Sequence, residues 1–245
     1  MMRQRVVAVE MLDTLPVDDP RAIRSRCDLR RIHTAMASRR TIRQALDGMH
    51  SLRPTTQPIK ILELGAGDGT LMLEVARALS PRWPAVEITL LDRLALTSTS
   101  TRDQYAAIGW TVCTHTEDVF GWVNHVSGLP YGQGPHWDLI VANLFLHHFT
   151  DPQLAALLSA VSNRCRLFFA CEPRRAGLAL VGSHLVGALG ANAVTREDAV
   201  LSVRAGFRNQ ELTALWPNPV GDWQTTEYSA GLFSHCLRAD RSVRT

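Results

Sequence analysis

The sequence predicts an α/β fold in which a five-stranded parallel sheet is extended by an antiparallel hairpin at the C-terminal end. Three observations predict it. Short apolar runs alternate with helical segments over residues 59–171, and apolar strands between helices are typical of a parallel sheet that is covered on both faces. A glycine-rich turn follows the first run directly. Residues 223–229 and 232–239 alternate polar and apolar positions around Ala230-Gly231, as in a hairpin.

Composition and length agree with this fold and exclude several other classes. The chain has 245 residues, 46% of them hydrophobic and 20% charged, which suits one domain with an extension or two small domains, and argues against wholesale disorder. No apolar run reaches the roughly 18–20 residues of a membrane span. The basic N-terminus lacks the apolar stretch of a signal peptide. We therefore expect a cytoplasmic protein without a membrane partner.

Residues 1–58 predict a helical N-terminal extension, followed by the α/β domain at 59–245. Leu29, Ile32 and Met36 recur at helical spacing and form an apolar stripe that must pack on something. A segment rich in Pro and Thr at 51–58 marks the boundary. The extension carries most of the positive charge, but the net charge of the whole chain is only +3. That balance is too mild to require nucleic acid as a partner.

The order of the elements after the boundary follows from local signals. The first strand, 59–64, stops at Gly65, and the following helix, 70–79, stops at Ser80-Pro81. Another helix begins at Asp151-Pro152, with Asp as the capping residue and Pro in the first turn. Further strands are predicted at 86–91, 110–116, 138–143 and 167–171, with a helix at 102–108 and a loop at 127–136.

The glycine-rich turn is the strongest chemical signal. Residues 63–70 read Glu-Leu-Gly-Ala-Gly-Asp-Gly-Thr, and glycines at a strand-to-helix turn let the backbone approach a ligand closely. The Gly-x-Gly-x-Gly spacing differs from the dinucleotide fingerprint, and the Lys-Ser/Thr pair of a P-loop is missing. Asp68 would repel a pyrophosphate at this position. A ligand with a cationic amino group fits better.

Polar residues also follow the next three strands, at the edge where parallel sheets bind ligands. Asp92 ends the second strand and can accept hydrogen bonds from both hydroxyls of a ribose; otherwise it is an exposed acid. Asp118 follows the third strand and either accepts from an exocyclic adenine amine, with Val119 donating through its backbone, or caps a helix. Residues 143–149, Asn-Leu-Phe-Leu-His-His-Phe, follow the fourth strand.

This combination of motifs resembles the class I S-adenosylmethionine-dependent methyltransferases. Residues 61–70 match the first motif of that family, Asp92 the second, Asp118 the third and residues 138–149 the fourth, and the resemblance covers roughly residues 59–239. It implies a Rossmann-like fold of seven strands, with S-adenosylmethionine as cofactor and S-adenosylhomocysteine as product. The implied cofactor contacts are Glu63, Gly65, Ala66, Gly67, Gly69, Asp92, Arg93, Asp118, Val119, Asn143 and Leu144.

Residues 28–33, Asp-Leu-Arg-Arg-Ile-His, together with the positive charge of the extension, also resemble the small-molecule methyltransferases of bacterial secondary metabolism. In the family as a whole, N-terminal extensions commonly cover the acceptor. This resemblance implies methyl transfer to a small, largely apolar or aromatic acceptor, which we expect at oxygen. A phenol, with a pKa near 10, would profit from a histidine base. The candidates are His147, His148, His33 and His184. The alternative is that these rings merely pack near the cofactor.

Three further residues are candidates for acceptor contacts. Arg30 lies on the basic extension. Glu172 and Arg174 follow the fifth strand, where Glu172 would orient a histidine or bind an arginine, and Arg174 would fix an acidic or polyphenolic acceptor. Residues 176–194 are small and apolar, and we expect most of them to pack in a core rather than to line an acceptor pocket.

Several alternatives remain open at this level. The five cysteines show no metal-binding spacing, and we expect no metal. Transfer to nitrogen or carbon of a small molecule is an alternative to oxygen. An RNA methyltransferase is another, although the motifs typical of exocyclic amine and pyrimidine C5 methylation are missing. A binding protein with a methyltransferase fold is a third. The sequence does not decide between a monomer and a homodimer.

Overall fold

A mixed sheet of seven strands organises the computed structural model, which describes residues 4–47, 57–129, 133–217 and 223–241. The strand order is β3-β2-β1-β4-β5-β7-β6. The strands are β1 (Ile59–Leu64), β2 (Val86–Asp92), β3 (Trp110–Thr116), β4 (Trp137–Asn143), β5 (Cys165–Pro173), β6 (Trp223–Ala230) and β7 (Ser234–Arg241). Strands β1 to β5 pair in parallel, β7 pairs antiparallel with β5, and β6 pairs antiparallel with β7, so the predicted fold class is confirmed.

The register brings the ends of the parallel strands to one edge of the sheet. In the centre, Ile61 of β1 pairs with Ile88 of β2 and with Leu139 of β4. All three side chains are buried, because helices cover both faces, and this explains the apolar runs in the sequence. The crossover from β1 outward to β3 and back to β4 opens a crevice at the carboxyl ends of β1 and β4, where such sheets bind ligands.

Two apolar clusters, one on each face of the sheet, form the core. One contains α4 (Thr70–Leu79) and α5 (Thr99–Ala106), and the other contains α6 (Val119–Ser127), α7 (Asp151–Arg164) and α10 (Glu211–Leu215). Helix α5 begins earlier than the predicted 102, because Ser98 caps it by accepting a hydrogen bond from the Thr101 N–H at 3.0 Å.

None of the helices in the described ranges combines the length and apolarity that crossing a bilayer requires.

The N-terminal extension packs on the domain rather than standing apart from it. Helix α3 (Ser38–Leu46) buries Ile42 and Leu46 in the same cluster as α4. Helices α1 (Met11–Thr14) and α2 (Pro20–Ala35) instead lie against α9 (Ala193–Ala205). The predicted boundary at 51–58 falls mostly on residues 48–56, which lie outside the described residues, so the division at 58 stays a prediction.

Polar contacts fasten this extension to α9. The Asp198 carboxylate accepts hydrogen bonds from the backbone N–H groups of Met11 at 2.7 Å and Leu12 at 3.0 Å. The buried carboxylate of Asp28 accepts from the Asn192 N–H at 2.9 Å. Charge-assisted bonds of this kind to buried acids are stronger than neutral ones, so α1 and α2 have fixed positions over the crevice.

The segment after β5 differs from its prediction. It forms α8 (Gly177–Leu185) and a 3₁₀ turn, Val186–Leu189. The expectation that most of its apolar residues pack in a core is wrong for Leu178 and Val181, which are 65% and 56% exposed. Helix α8 buries only Ala179 and Ser183, because it meets the protein through a narrow face of small side chains.

A close backbone approach at Gly206 predicts a sensitive position. A Cβ at this residue would lie 2.2 Å from the Pro173 carbonyl oxygen at the end of β5, and backbone cannot move away cheaply. We expect Gly206→Ala to lower the free energy of unfolding by about 1–3 kcal/mol, measured by urea denaturation. Gly177→Ala is the matched control, because a Cβ there meets nothing within 4 Å. Equal stabilities of the two variants would contradict the prediction.

Candidate cofactor and acceptor site

A cavity of about 700 Å³ lies at the carboxyl edge of the parallel strands, beneath α1 and α2. The crevice between the ends of β1 and β4 forms its floor, and the extension forms its roof. Most of the residues that the sequence singled out line this cavity, although they come from distant parts of the chain. They are Arg30, His33, Glu63, Gly65, Ala66, Gly67, Asp92, Arg93, Asp118, Val119, Asn143, Leu144, His147 and His148.

The glycine turn has the conformation that its sequence predicts. Gly65 and Gly67 have φ values of +66° and +57°, in the left-handed region that favours glycine. A Cβ at Gly65 would lie 2.2 Å from the Phe145 ring. The Gly67 N–H donates to the Asp92 carboxylate at 2.8 Å, so the acid at the end of β2 also fixes the turn after β1. Gly69 caps α4 and does not line the cavity.

Two buried acceptors at the cavity floor have no hydrogen-bond partner in the part of the chain that the structure describes. They are Oε2 of Glu63 on β1 and Oδ1 of Asn143 at the end of β4. Burial raises the pKa of Glu63 to about 8, with Asp68 and Asp92 adding to the effect. Leaving such atoms unsatisfied costs free energy. A cationic amino group placed between them would satisfy both, and would favour the ionised form of Glu63.

Asp68, in the glycine turn, binds the roof of the cavity. Its carboxylate accepts from the Thr70 N–H at 3.0 Å and forms an ion pair with Arg30 of α2 at 2.7 Å. Burial opposes ionisation of Asp68, but the hydrogen bonds from Thr70 and Arg30 outweigh it and lower its pKa. Arg30 therefore lines the cavity as a bridge between α2 and the turn, and its predicted contact with an acceptor stays a prediction.

Asp118 caps a helix at the cavity wall, and its predicted contact with adenine stays a prediction. Asp118 accepts from the Phe120 N–H at 2.8 Å and caps α6, which is the alternative that the sequence left open. Asp118 and Val119 both still line the cavity. Arg93 donates to Asp13 of α1 at 2.9 Å, so this residue connects the end of β2 to the roof.

Glu172 holds the loop after β4 in place from inside the protein. Its fully buried carboxylate accepts from the backbone N–H groups of Phe145 at 3.0 Å and Leu146 at 2.9 Å. It also lies 2.8 Å from Nδ1 of His147. Glu172 does not line the cavity. It therefore orients a histidine, which is one of its two predicted roles, and it does not contact an acceptor.

His147 lies between two carboxylates, Glu172 on one side and Glu10 of the extension on the other. Its Nε2 is 3.4 Å from Oε1 of Glu10. Burial by itself favours the neutral ring, but the two acids outweigh it and raise the pKa of His147 to about 9. In this arrangement the ring is an imidazolium at neutral pH, and an imidazolium cannot accept a proton from an acceptor.

The other predicted histidines have different environments. His148 points Nδ1 at the Asp13 carboxylate, 3.3 Å away, and lines the cavity. His33 lines the cavity from α2, and burial lowers its pKa to about 4. His184 is exposed on α8 and does not line the cavity, so its predicted catalytic role has no support.

Glu10 and Asp13 were not singled out by the sequence, since no local motif includes them.

Arg174 also lies away from the cavity. Its guanidinium donates to the Gly231 carbonyl oxygen at 3.3 Å, in the turn between β6 and β7, and its backbone N–H donates to the Phe233 carbonyl oxygen at 2.7 Å. The residue therefore joins the end of β5 to the hairpin. Its predicted contact with an acidic acceptor has no support in this geometry.

The remaining wall of the cavity is mainly apolar. The stripe that the sequence placed on α2 faces the cavity, and aromatic rings from the loop after β4 and from the hairpin turn lie around it. These residues are Leu29, Ile32, Met36, Phe145, Phe149, Leu185, Val186 and Phe233. The cavity therefore has a polar floor beside the glycine turn and an apolar part under α2.

Solved structures of several methyltransferases share this fold. The plantazolicin methyltransferase BpumL, in complex with SAH and a pentazolic desmethylPZN analog, is 12% identical over 91% of this chain and 92% of its own, with a TM-score of 0.62. A putative O-methyltransferase from Nostoc punctiforme PCC 73102 is 16% identical over 96% of this chain and 64% of its own, with a TM-score of 0.58. No family model and no curated protein matches the sequence.

These likenesses, together with the strand order, define the class of fold. The chain has the seven-stranded fold of the class I S-adenosylmethionine-dependent methyltransferases, with a helical N-terminal extension. Sequence identities of 12% and 16% show the fold alone, so the activity has to be argued from the cavity.

The role of Glu172 gives a prediction for stability. Glu172→Gln places an N–H₂ group among N–H donors and removes the charge beside His147, so we expect a loss of about 3 kcal/mol in the free energy of unfolding. Glu87→Gln, on the exposed face of β2, is the control and should stay within about 0.5 kcal/mol of wild type. Urea denaturation at neutral pH measures both. A Glu172 variant as stable as the control would exclude the proposed loop-holding role.

Proposed function

We propose that this protein is a methyltransferase that transfers the methyl group of S-adenosylmethionine to a small, largely apolar acceptor, at oxygen. The observation that carries the proposal is the pair of buried, unpartnered acceptors on Glu63 and Asn143, beside a glycine turn and Asp92. When bound, S-adenosylmethionine supplies an activated methyl group that is transferred by in-line displacement, so the protein has mainly to position the reactants and exclude water.

The residues at the cavity floor fit the polar parts of this cofactor. Glu63 and Asn143 would accept hydrogen bonds from its amino group, and the open backbone of Gly65 and Gly67 gives room for the methionine moiety. Asp92 would accept from the ribose hydroxyls. Asp118 and Val119 lie at the part of the wall where the adenine would bind. Each of these residues lines the one cavity, which supports the proposal.

The apolar part of the cavity supports a flat or apolar acceptor. The side chains of Leu29, Ile32 and Met36 come from the docked helix α2, and Phe145 and Phe149 come from the loop after β4. Burial of a planar acceptor among these groups is favourable through the hydrophobic effect. Arg30 joins α2 to the glycine turn through its ion pair with Asp68 at 2.7 Å, so α2 would cover both ligands and limit the access of water to the reaction.

The histidines divide into different roles in this proposal. His147 is already charged and holds the extension through Glu10. The lowered pKa of His33 makes that ring a weak base. His148, beside Asp13, is then the ring in the cavity that is available to an acceptor hydroxyl. Transfer to nitrogen or carbon would need no such group, and an acceptor screen decides between these outcomes.

Cofactor binding is the first test. Isothermal titration of the full chain with S-adenosylmethionine should give one site, and Asp92→Ala should weaken it roughly 10- to 100-fold, because charge-assisted hydrogen bonds are lost. Asp103→Ala, which removes an exposed acid on α5, should bind like wild type. If wild type shows no binding, or if Asp92→Ala binds equally well, the proposal fails.

Incubation with small phenols, carboxylic acids, amines and planar heteroaromatics, followed by mass spectrometry, then identifies the methylated atom.

Glu63 makes a separate prediction about pH. The pKa of about 8 means that the carboxyl group is protonated in the free protein at neutral pH, whereas a cationic amino group favours the carboxylate. Cofactor binding must therefore release a proton, and affinity should rise by up to about tenfold per pH unit as the pH increases from the acid side toward the pKa of about 8. In Glu63→Gln this dependence should disappear and binding should be weaker. Titrations in buffers of different ionisation enthalpy measure the released proton. A slope that persists in the variant would contradict this assignment.

A further inference from the structure

Three side chains at the acceptor end of the cavity converge as metal ligands do. Glu10 of the extension meets His147 and His148 of the loop after β4, and one ligand atom from each lies within 4.8 Å of the other two. Glu10 and His147 are buried, His148 is partly buried, and all three line the cavity. The extension brings a carboxylate more than a hundred residues away in sequence onto two adjacent imidazoles.

The contact between Glu10 and His147 has the separation of two ligands around an ion rather than that of a strong hydrogen bond. Oε1 of Glu10 lies 3.4 Å from Nε2 of His147, whereas charge-assisted N–H···O bonds are about 2.7–2.9 Å long. Two ligands at about 2.1 Å from a tetrahedral ion are roughly 3.4 Å apart. Nε2 of His147 is buried, faces Glu10 at that distance and neither accepts nor donates a hydrogen bond of normal geometry among the described residues.

The surroundings of His147 are those of a metal-binding imidazole. Its Nδ1 is 2.8 Å from the buried carboxylate of Glu172, which fixes the ring and leaves Nε2 as the nitrogen that faces the cavity. Carboxylate partners of this kind orient metal-binding histidines and increase their basicity. Glu172 is itself held by the backbone N–H groups of Phe145 and Leu146, so the ring position is fixed without any ligand.

The electrostatic balance also favours a cation. The carboxylates of Glu10, Asp13 and Glu172 lie against the two histidines. Burial raises the pKa of Asp198, and Glu10 and Asp13 lie close enough for their charges to add to the effect. Among the described residues, the cationic groups paired with these acids are Arg93, which binds Asp13 at 2.9 Å, and the protonated ring of His147. The four carboxylates exceed these cations, and a divalent ion that replaced the His147 proton would compensate the remaining negative charge.

We propose that Glu10, His147 and His148 bind a divalent transition-metal ion such as Zn²⁺. Two imidazoles and one carboxylate are the donor set of zinc and its first-row neighbours. Three protein ligands leave a further coordination position, which faces the cavity. If the methyltransferase assignment holds, that position would receive an oxygen of the acceptor, and His148 acts there as a ligand rather than as a free base.

Metal titration of the full chain after treatment with EDTA tests the site directly. Zn²⁺ followed by isothermal titration, and Co²⁺ followed by its visible absorption, should each show one ion per chain, with a cobalt spectrum typical of nitrogen and oxygen ligands. Glu10→Gln and His148→Ala should weaken binding at least tenfold. His184→Ala removes an exposed histidine outside the cavity and is the matched control, so it should bind like wild type.

Other results would overturn the proposal. If wild type does not bind the ions, the cluster is only an ion pair. If wild type, Glu10→Gln and His148→Ala bind them equally, the ion lies elsewhere, at surface groups such as His115 and Glu117. Circular dichroism shows whether each variant is folded. If His148→Ala is not folded, Glu10→Gln still tests the site, because glutamine keeps the shape of the glutamate side chain. Titration of Glu10→Gln with S-adenosylmethionine separates the two proposals, since metal binding can be lost while cofactor binding persists.

Discussion

The Glu172 carboxylate is the contact on which the cavity depends. It lies near the end of β5 inside the protein, accepts hydrogen bonds from the N–H groups of residues 145 and 146, and orients His147. His147 in turn pairs with Glu10, so the loop after β4 and the N-terminal extension are positioned by one buried charge. A buried carboxylate costs several kcal/mol unless its hydrogen bonds are satisfied, and here the loop satisfies them. The position of the loop after β4 therefore follows from the hydrogen bonds that the buried Glu172 carboxylate requires.

The two ends of the cavity have different origins. At the end beside the glycine turn, the residues follow strands of one parallel sheet, and the sheet register places them together. At the other end, α1 and α2 reach the cavity by docking on α9, mainly through buried polar groups such as Asp28 and Asp198. The ion pair between Arg30 and Asp68 joins the two ends.

The adjacent histidines show how environment, rather than residue type, decides chemistry. His147 is buried between two acids and keeps its proton, whereas His148, the next residue, is partly exposed and faces Asp13. His33 on α2 loses its proton readily because burial lowers its pKa. A single cavity thus holds imidazoles of very different basicity. An account of activity that treats them as interchangeable bases would be wrong.

The sequence by itself determined the parallel sheet, the closing hairpin, the glycine turn and the strand-end acids, because these features have local signals: apolar runs, φ-permissive glycines and residues that stop a strand. It also placed an apolar stripe on α2, although it gave no reason for it. Only the tertiary structure decided that Arg174 and His184 lie outside the cavity, that Glu172 is buried, and that Glu10 and Asp13 meet the histidines. Such contacts join residues far apart in the chain, and their energies depend on burial and on the charges nearby. No spacing in the sequence carries that information.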